Sequence, residues 1–156
     1  EMRFVKHSIK YTAIDPFFES TNISSYIYTN APNGVQFDIT LSDTNPLSPN
    51  YNIDVYEAYP EISLDGNVAG TNSNFAITNV TTGASFNIAD SGFIAGQSIK
   101  ISSVTGLISK ENILNSKILA GGRPFKLVKG VNTILYQSAA SIPATIYFIY
   151  RLRYLY

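Results

Sequence analysis

The stretch Asn74–Ala89, "NFAITNVTTGASFNIA", decides the fold class. Phe75 and Ile77 alternate with Ala76 and Thr78, and Phe86 and Ile88 resume the alternation after an interruption. Period two is the signature of a strand with one buried face. Between the two runs stands "VTTG", where the chain has to reverse, and Gly83 takes a positive φ there at little steric cost. The segment therefore reads as a β-hairpin. It also contains Asn79-Val80-Thr81, the triplet that accepts N-linked glycans. The turn itself accounts for Asn, Thr and Gly occurring together, so the triplet reads as incidental.

The pattern repeats outward in both directions. "VQFDITL" (35–41) puts Val35, Phe37, Ile39 and Leu41 on one face, after the turn signal "APNG". "YNIDVYEAYPEISLDG" (51–66) offers two short strands around Pro60 and a turn at Asp65-Gly66. "FIAGQSIKISSV" (93–104) turns at Gly96 and runs on with Ile99 and Ile101 facing in, and "RPFKLVKGVNTILYQS" (123–138) turns at Gly130. The closing "ATIYFIYRLRYLY" alternates Ile146, Phe148, Tyr150, Leu152 and Tyr154 against Tyr147, Ile149, Arg151 and Arg153. Being longer than the usual strand of about 5–6 residues, it reads as a central one.

Two segments read differently. "SKENILNSKILAGG" (109–122) has Ser109 as a helix cap and Ile113, Leu114, Lys117 and Ile118 at helical spacing before Gly121, which predicts one short helix. The long polar segment from Thr21 to Asn52 is rich in turn residues. At the start, "RFVKHSIKYTAI" (3–14) alternates as a strand that Asp15-Pro16 ends or shifts. Eight or more short strands with at most one short helix predict an all-β, antiparallel β-sandwich or jelly roll, and 156 residues suit one such domain.

Composition agrees. Eleven tyrosines and nine phenylalanines with a single methionine favour pleated surfaces over helices. The absence of cysteine excludes disulfides, thiolate metal sites and a cysteine nucleophile. No apolar run reaches the roughly 18 residues of a membrane-spanning helix. The zero net charge is unevenly distributed: residues 11–99 carry nine acids and no Lys or Arg, whereas 100–156 carry eight bases against Glu111. Interleaved strands would bring these blocks together as complementary neighbours.

Little in the chain points to catalysis. His7 is the only histidine, sits between Val5 and Ile9 on one strand face, and reads as packing. No nucleophile elbow, zinc-binding histidine pair, phosphate-binding glycine loop or EF-hand string occurs. Glycoside hydrolysis needs only two close carboxylates, but Asp15, Asp43, Asp65 and Asp90 stand where Asp serves turns. The expectation is a protein that is not an enzyme and uses no cofactor or metal. Neutral charge argues against nucleic acid as a partner. Tyr26, Tyr28, Tyr51, Tyr56 and Tyr59, in or beside the polar segment, are the candidate ligand-contacting aromatics, since rings stack on sugar faces. Covering a sheet edge is the competing role for them.

Six fragments in order carry a resemblance: "YTAIDPFFES", "EAYPEISLDG", "FAITNVTTGASFNI", "AGQSIKIS", "FKLVKGVNTILY" and "IYFIYRLRYLY". Together they span nearly the whole chain, and the chain resembles the C-terminal domain of the siphophage distal tail protein family, the Siphovirus-type tail components. The resemblance implies a galectin-like β-sandwich that decorates a ring-forming N-terminal domain at the junction of tail tube and tail tip. It implies a virion location after assembly in the bacterial cytoplasm, with other tail proteins as partners, host cell-wall glycan as a further one, and no membrane insertion. Residues 1–156 would then be the C-terminal part of a longer tail protein. The chain departs from the family in the polar segment 21–52. The alternative is a carbohydrate-binding module of the same fold.

Overall fold

The computed structural model describes residues 17–42, 55–66, 72–93, 96–111, 113–114, 125–138 and 143–155, and among them the chain forms strands and no helix. These are β1 (Phe17–Ala31), β2 (Gln36–Leu41), β3 (Val55–Ala58), β4 (Glu61–Gly66), β5 (Asn72–Asn79), β6 (Ala84–Phe93), β7 (Ser98–Ser102), β8 (Ile108–Lys110), β9 (Ile113–Leu114), β10 (Leu127–Val128), β11 (Gly130–Ser138) and β12 (Ala144–Leu155). Eight make one sheet and four make a second, in the order β2-β11-β5-β6, and every pairing is antiparallel.

β12 is the spine of the larger sheet. Along one edge it pairs with β1, from Phe17↔Leu155 to Ala31↔Ala144. Along the other it pairs with β4 through Ala144–Ile149 and with β3 at Arg153 and Tyr154. β3 and β4 thus follow one another on the same edge, separated by Tyr59 and Pro60, and β4 hands on to β7, β8 and β9. Alternation on β12 sends Ile146, Phe148, Tyr150, Leu152 and Tyr154 inward. From the smaller sheet, Phe37, Ile39, Leu41, Phe75, Ile77, Phe86, Ile88, Ile134 and Tyr136 come to meet them. The two layers close through aromatic contacts, Phe37 meeting Phe148 edge-on at 6.1 Å and Phe125 bridging from Phe148 (6.2 Å) to Phe86 (5.7 Å, stacked). The chain is an all-β antiparallel sandwich.

The hairpin at 74–89 forms as β5 and β6, and Gly83 adopts a φ of 71°. Three sequence expectations need correction. The helix expected from Ser109 is not formed where the chain is described: Lys110 pairs with Ile99 and with Ile113, and Ser109 pairs with Leu114. Glu111 enters the left-handed region at φ 51°, its N–H donates to Ser98 O at 3.0 Å, and its carboxylate accepts the Ser98 N–H. A free ladder on β7 outweighs the weak helical spacing; residues 115–124 lie outside the described residues.

The polar segment contains a long strand as well as turns, because Phe17–Ala31 runs the length of β12. Its outward face mixes polar residues with Ile23 and Ile27, and two register shifts interrupt the alternation, the second beside Asn30, whose φ is 54°. Asp65 and Gly66 still belong to β4, opposite Thr145 and Ala144, and so continue the strand instead of forming the expected turn. The expected strand at 3–14 with His7, the loop from Asp43, and Tyr51 lie outside the described residues.

Candidate functional site

Four of the five candidate tyrosines can be placed, and they form two separate groups. Tyr26 and Tyr28 pair with Phe148 and Ile146, which puts both on the inner face of β1. Tyr26 lies parallel to Phe37, with ring centroids 5.6 Å apart and planes 3° apart, and Tyr28 approaches the same ring at 4.6 Å. Burial, then the neighbouring Tyr28 and Asp38, pushes the Tyr26 hydroxyl above its ordinary pKa of 10.0. These two rings cap the sandwich at the β1/β2 rim. Tyr56 and Tyr59 stand five residues further along β12, near Arg153, which is about 17 Å at strand rise. Tyr56 occupies the extra position where β3 shifts register against β12, and is exposed. No single groove gathers all four.

Tyr59 belongs to a charged cluster. Glu57 is buried and accepts from Lys126 Nζ at 3.0 Å and from the Arg153 guanidinium at 3.1 Å. Arg153 lies over the Tyr59 ring at 5.2 Å and within 3.8 Å of Glu19. Burial first, then a hydrogen bond and the charge of Glu57, raise the Tyr59 hydroxyl. The Lys126 ammonium is raised chiefly by its hydrogen bond to Glu57, against an opposing effect of burial. A buried carboxylate with two cationic partners is compensated rather than reactive, so the cluster ties β1, β12, β3 and the chain before β10 together. Acids of the first half and bases of the second meet here, as interleaving predicts.

A second polar cluster sits inside the smaller sheet. Asn79 and Asn132 are fully buried. Asn132 Nδ2 donates to Val128 O (2.8 Å), Gly130 O (3.2 Å) and Ile39 O (3.3 Å), while its Oδ1 accepts from Val128 N–H (2.8 Å). Asn79 Nδ2 donates to Lys126 O (2.8 Å) and to Asn132 Oδ1 (3.2 Å), and its Oδ1 accepts from Thr81 and Thr82 N–H. The "NVTTG" and "KGVN" turns are thereby pinned to each other, and the nitrogen that would carry a glycan is closed off in the folded chain.

The outer face of the larger sheet is exposed in parts and covered in others, Ser63 and Thr145 being buried on it. Ile27, Tyr147, Ser63, Lys100 and Ser109 form one cross-strand row, and Ser25, Ile149, Glu61 and Ser102 form the next. Ile23 (61% exposed), Ile27 (54%) and Ile149 (39%) leave an apolar strip at its β1 end. At the other end a cavity of about 170 Å³ opens between Glu61, Lys100, Ser102, Thr105, Leu107 and Ser109. Ser102 Oγ accepts the Thr105 N–H and Thr105 Oγ1 accepts the Leu107 N–H, each at 3.3 Å, so the loop fixes both hydroxyl oxygens. Sequence reasoning missed this place. Alternation marks Glu61, Lys100 and Ser102 as outward-facing, but only the pairing of β4 with β7 makes them neighbours.

Among the described residues, no three His, Asp or Glu side chains stand close enough to hold a metal ion. No family model matches the chain, and no curated protein matches it.

Proposed function

We propose that this sandwich is a non-enzymatic structural module of a phage or prophage tail, a distal-tail or tail-tip component that also contacts the host surface. The observation that supports the reading is where the fragments behind the sequence resemblance fall. "NVTTG" and "KGVN" are the two turns joined through Asn79 and Asn132, and "IYFIYRLRYL" (146–155) lies in the spine strand between β1 and β3/β4. Residues that specify joints of the fold are what a shared architecture would retain, whereas a shared chemistry would retain a reactive cluster. The partners in this reading are other tail proteins, among them a ring-forming domain, in a virion assembled in the bacterial cytoplasm. Peptides of this chain should be recovered from purified particles in amounts comparable to other tail components. Their absence from particles would remove the proposal.

A carbohydrate-binding module of galectin-like fold is the second reading. The cavity beside Glu61 and Lys100, with three hydroxyls and an apolar wall, favours it. A glycan array carrying host-wall polysaccharide tests it, and no binding at millimolar glycan would leave it without support.

A further inference from the structure

We infer that the cavity on the outer face of the larger sheet is a subsite for one neutral sugar ring of a glycan, with the Glu61 carboxylate accepting from one of its hydroxyls. The inference rests on the carbohydrate-binding reading and gives it a place.

Three properties of the cavity lead there. Its volume of about 170 Å³ lies below the roughly 300–1,000 Å³ of sites for drug-sized ligands, so it suits a single ring. Its polar groups are mixed: a carboxylate acceptor, an ammonium donor and the hydroxyls of Ser102, Thr105 and Ser109. Because Ser102 and Thr105 already accept backbone N–H groups, their oxygens are held in position while each keeps a hydrogen to donate. A sugar hydroxyl both donates and accepts, and matches such a set. A phosphate or carboxylate ligand would meet Lys100 and the hydroxyls but also the negative Glu61 on the same rim, and like charges at close range disfavour it.

The apolar component completes the match. Leu107, 54% exposed, lines the cavity, and Ile149 is the cross-strand neighbour of Glu61. The Leu107 side chain offers a surface to the C–H face of a ring.

The test is a titration of the isotope-labelled chain with an N-acetylglucosamine trimer, a glucose trimer and inorganic phosphate, followed by amide NMR into the millimolar range. The expected result is that one of the sugars shifts the amides of Glu61 and of residues 100–109 while phosphate does not. Glu61→Gln should then weaken that sugar by about tenfold or more, as removal of a charge-assisted hydrogen bond does, with amides elsewhere unmoved. Shifts confined to another face would overturn the subsite and leave the carbohydrate reading standing. Stronger shifts with phosphate, or Glu61→Gln binding as well as the parent, would overturn the assignment of the ligand. No shift with either sugar would overturn the subsite together with the reading beneath it.

Discussion

Asn132 holds four backbone groups at once, and no other side chain at that position would hold them in the same way. Replacing it with alanine strands the Val128 N–H and the Ile39, Val128 and Gly130 carbonyls around a small void. Asn132→Ala should cost about 2–4 kcal/mol, read as a lower urea midpoint with an unchanged slope. A loss below about 1 kcal/mol would show that the network is redundant. The partner residue carries a second expectation. A mass spectrum of the native protein should show no glycan on Asn79, because its amide nitrogen is fully occupied inside the sandwich.

Alkaline titration also acts at this scale. Tyr26, Tyr59 and Tyr150 are raised above 10.0, in each case first by burial, and Lys126 is raised above 10.5 by Glu57. For a group whose pKa is higher folded than unfolded, the folded state holds more protons across the interval between the two. Stability is therefore undiminished below about pH 10 and falls as pH rises through the folded values. Thermal unfolding followed from pH 8 to pH 11 should show a flat midpoint and then a decline. A midpoint that rises above pH 10 would contradict the assignment.

At the scale of elements, the hairpin and the charged tie make separate predictions. Gly83 has open space where a Cβ would go, so Gly83→Ala tests backbone conformation alone, and at φ 71° the cost should be about 1 kcal/mol. Glu57→Ala should cost more, about 3 kcal/mol, since it leaves Arg153 and Lys126 facing a carboxylate that is gone. Chemical denaturation of the two variants orders them, and the reverse order would mean that the cluster is solvated decoration. The same elements show how far the sequence could be read. Strands with strict alternation, β2, β5, β6, β7 and β12, were legible because one buried face imposes period two on the side chains. β1 was hidden by its bulges and by an outer face on which Ile23 and Ile27 stand among Ser and Thr, blurring the alternation. β8 and β9 were hidden because Ile113 and Leu114 fit either period, and the deciding factor, an unfilled ladder on β7, lies elsewhere in the chain. The cavity at Glu61 was illegible for the same reason: it exists only once β4, β7 and the 103–107 loop are side by side.

At the scale of the molecule, the sandwich buries its chemistry and shows its architecture. The polar clusters, Asn79 with Asn132 and Glu57 with its cations, join strands, and among the described residues the outer face of the larger sheet carries exposed isoleucines, hydroxyls and a small cavity. Such a body suits a building block with a contact surface, which is the role proposed for it in a tail. Electron microscopy of the parent particle with gold-labelled antibody against this chain tests that role most directly. The account predicts gold at the junction of tail tube and tail tip; gold restricted to the capsid or spread along the tube, or particles that bind none, would contradict it.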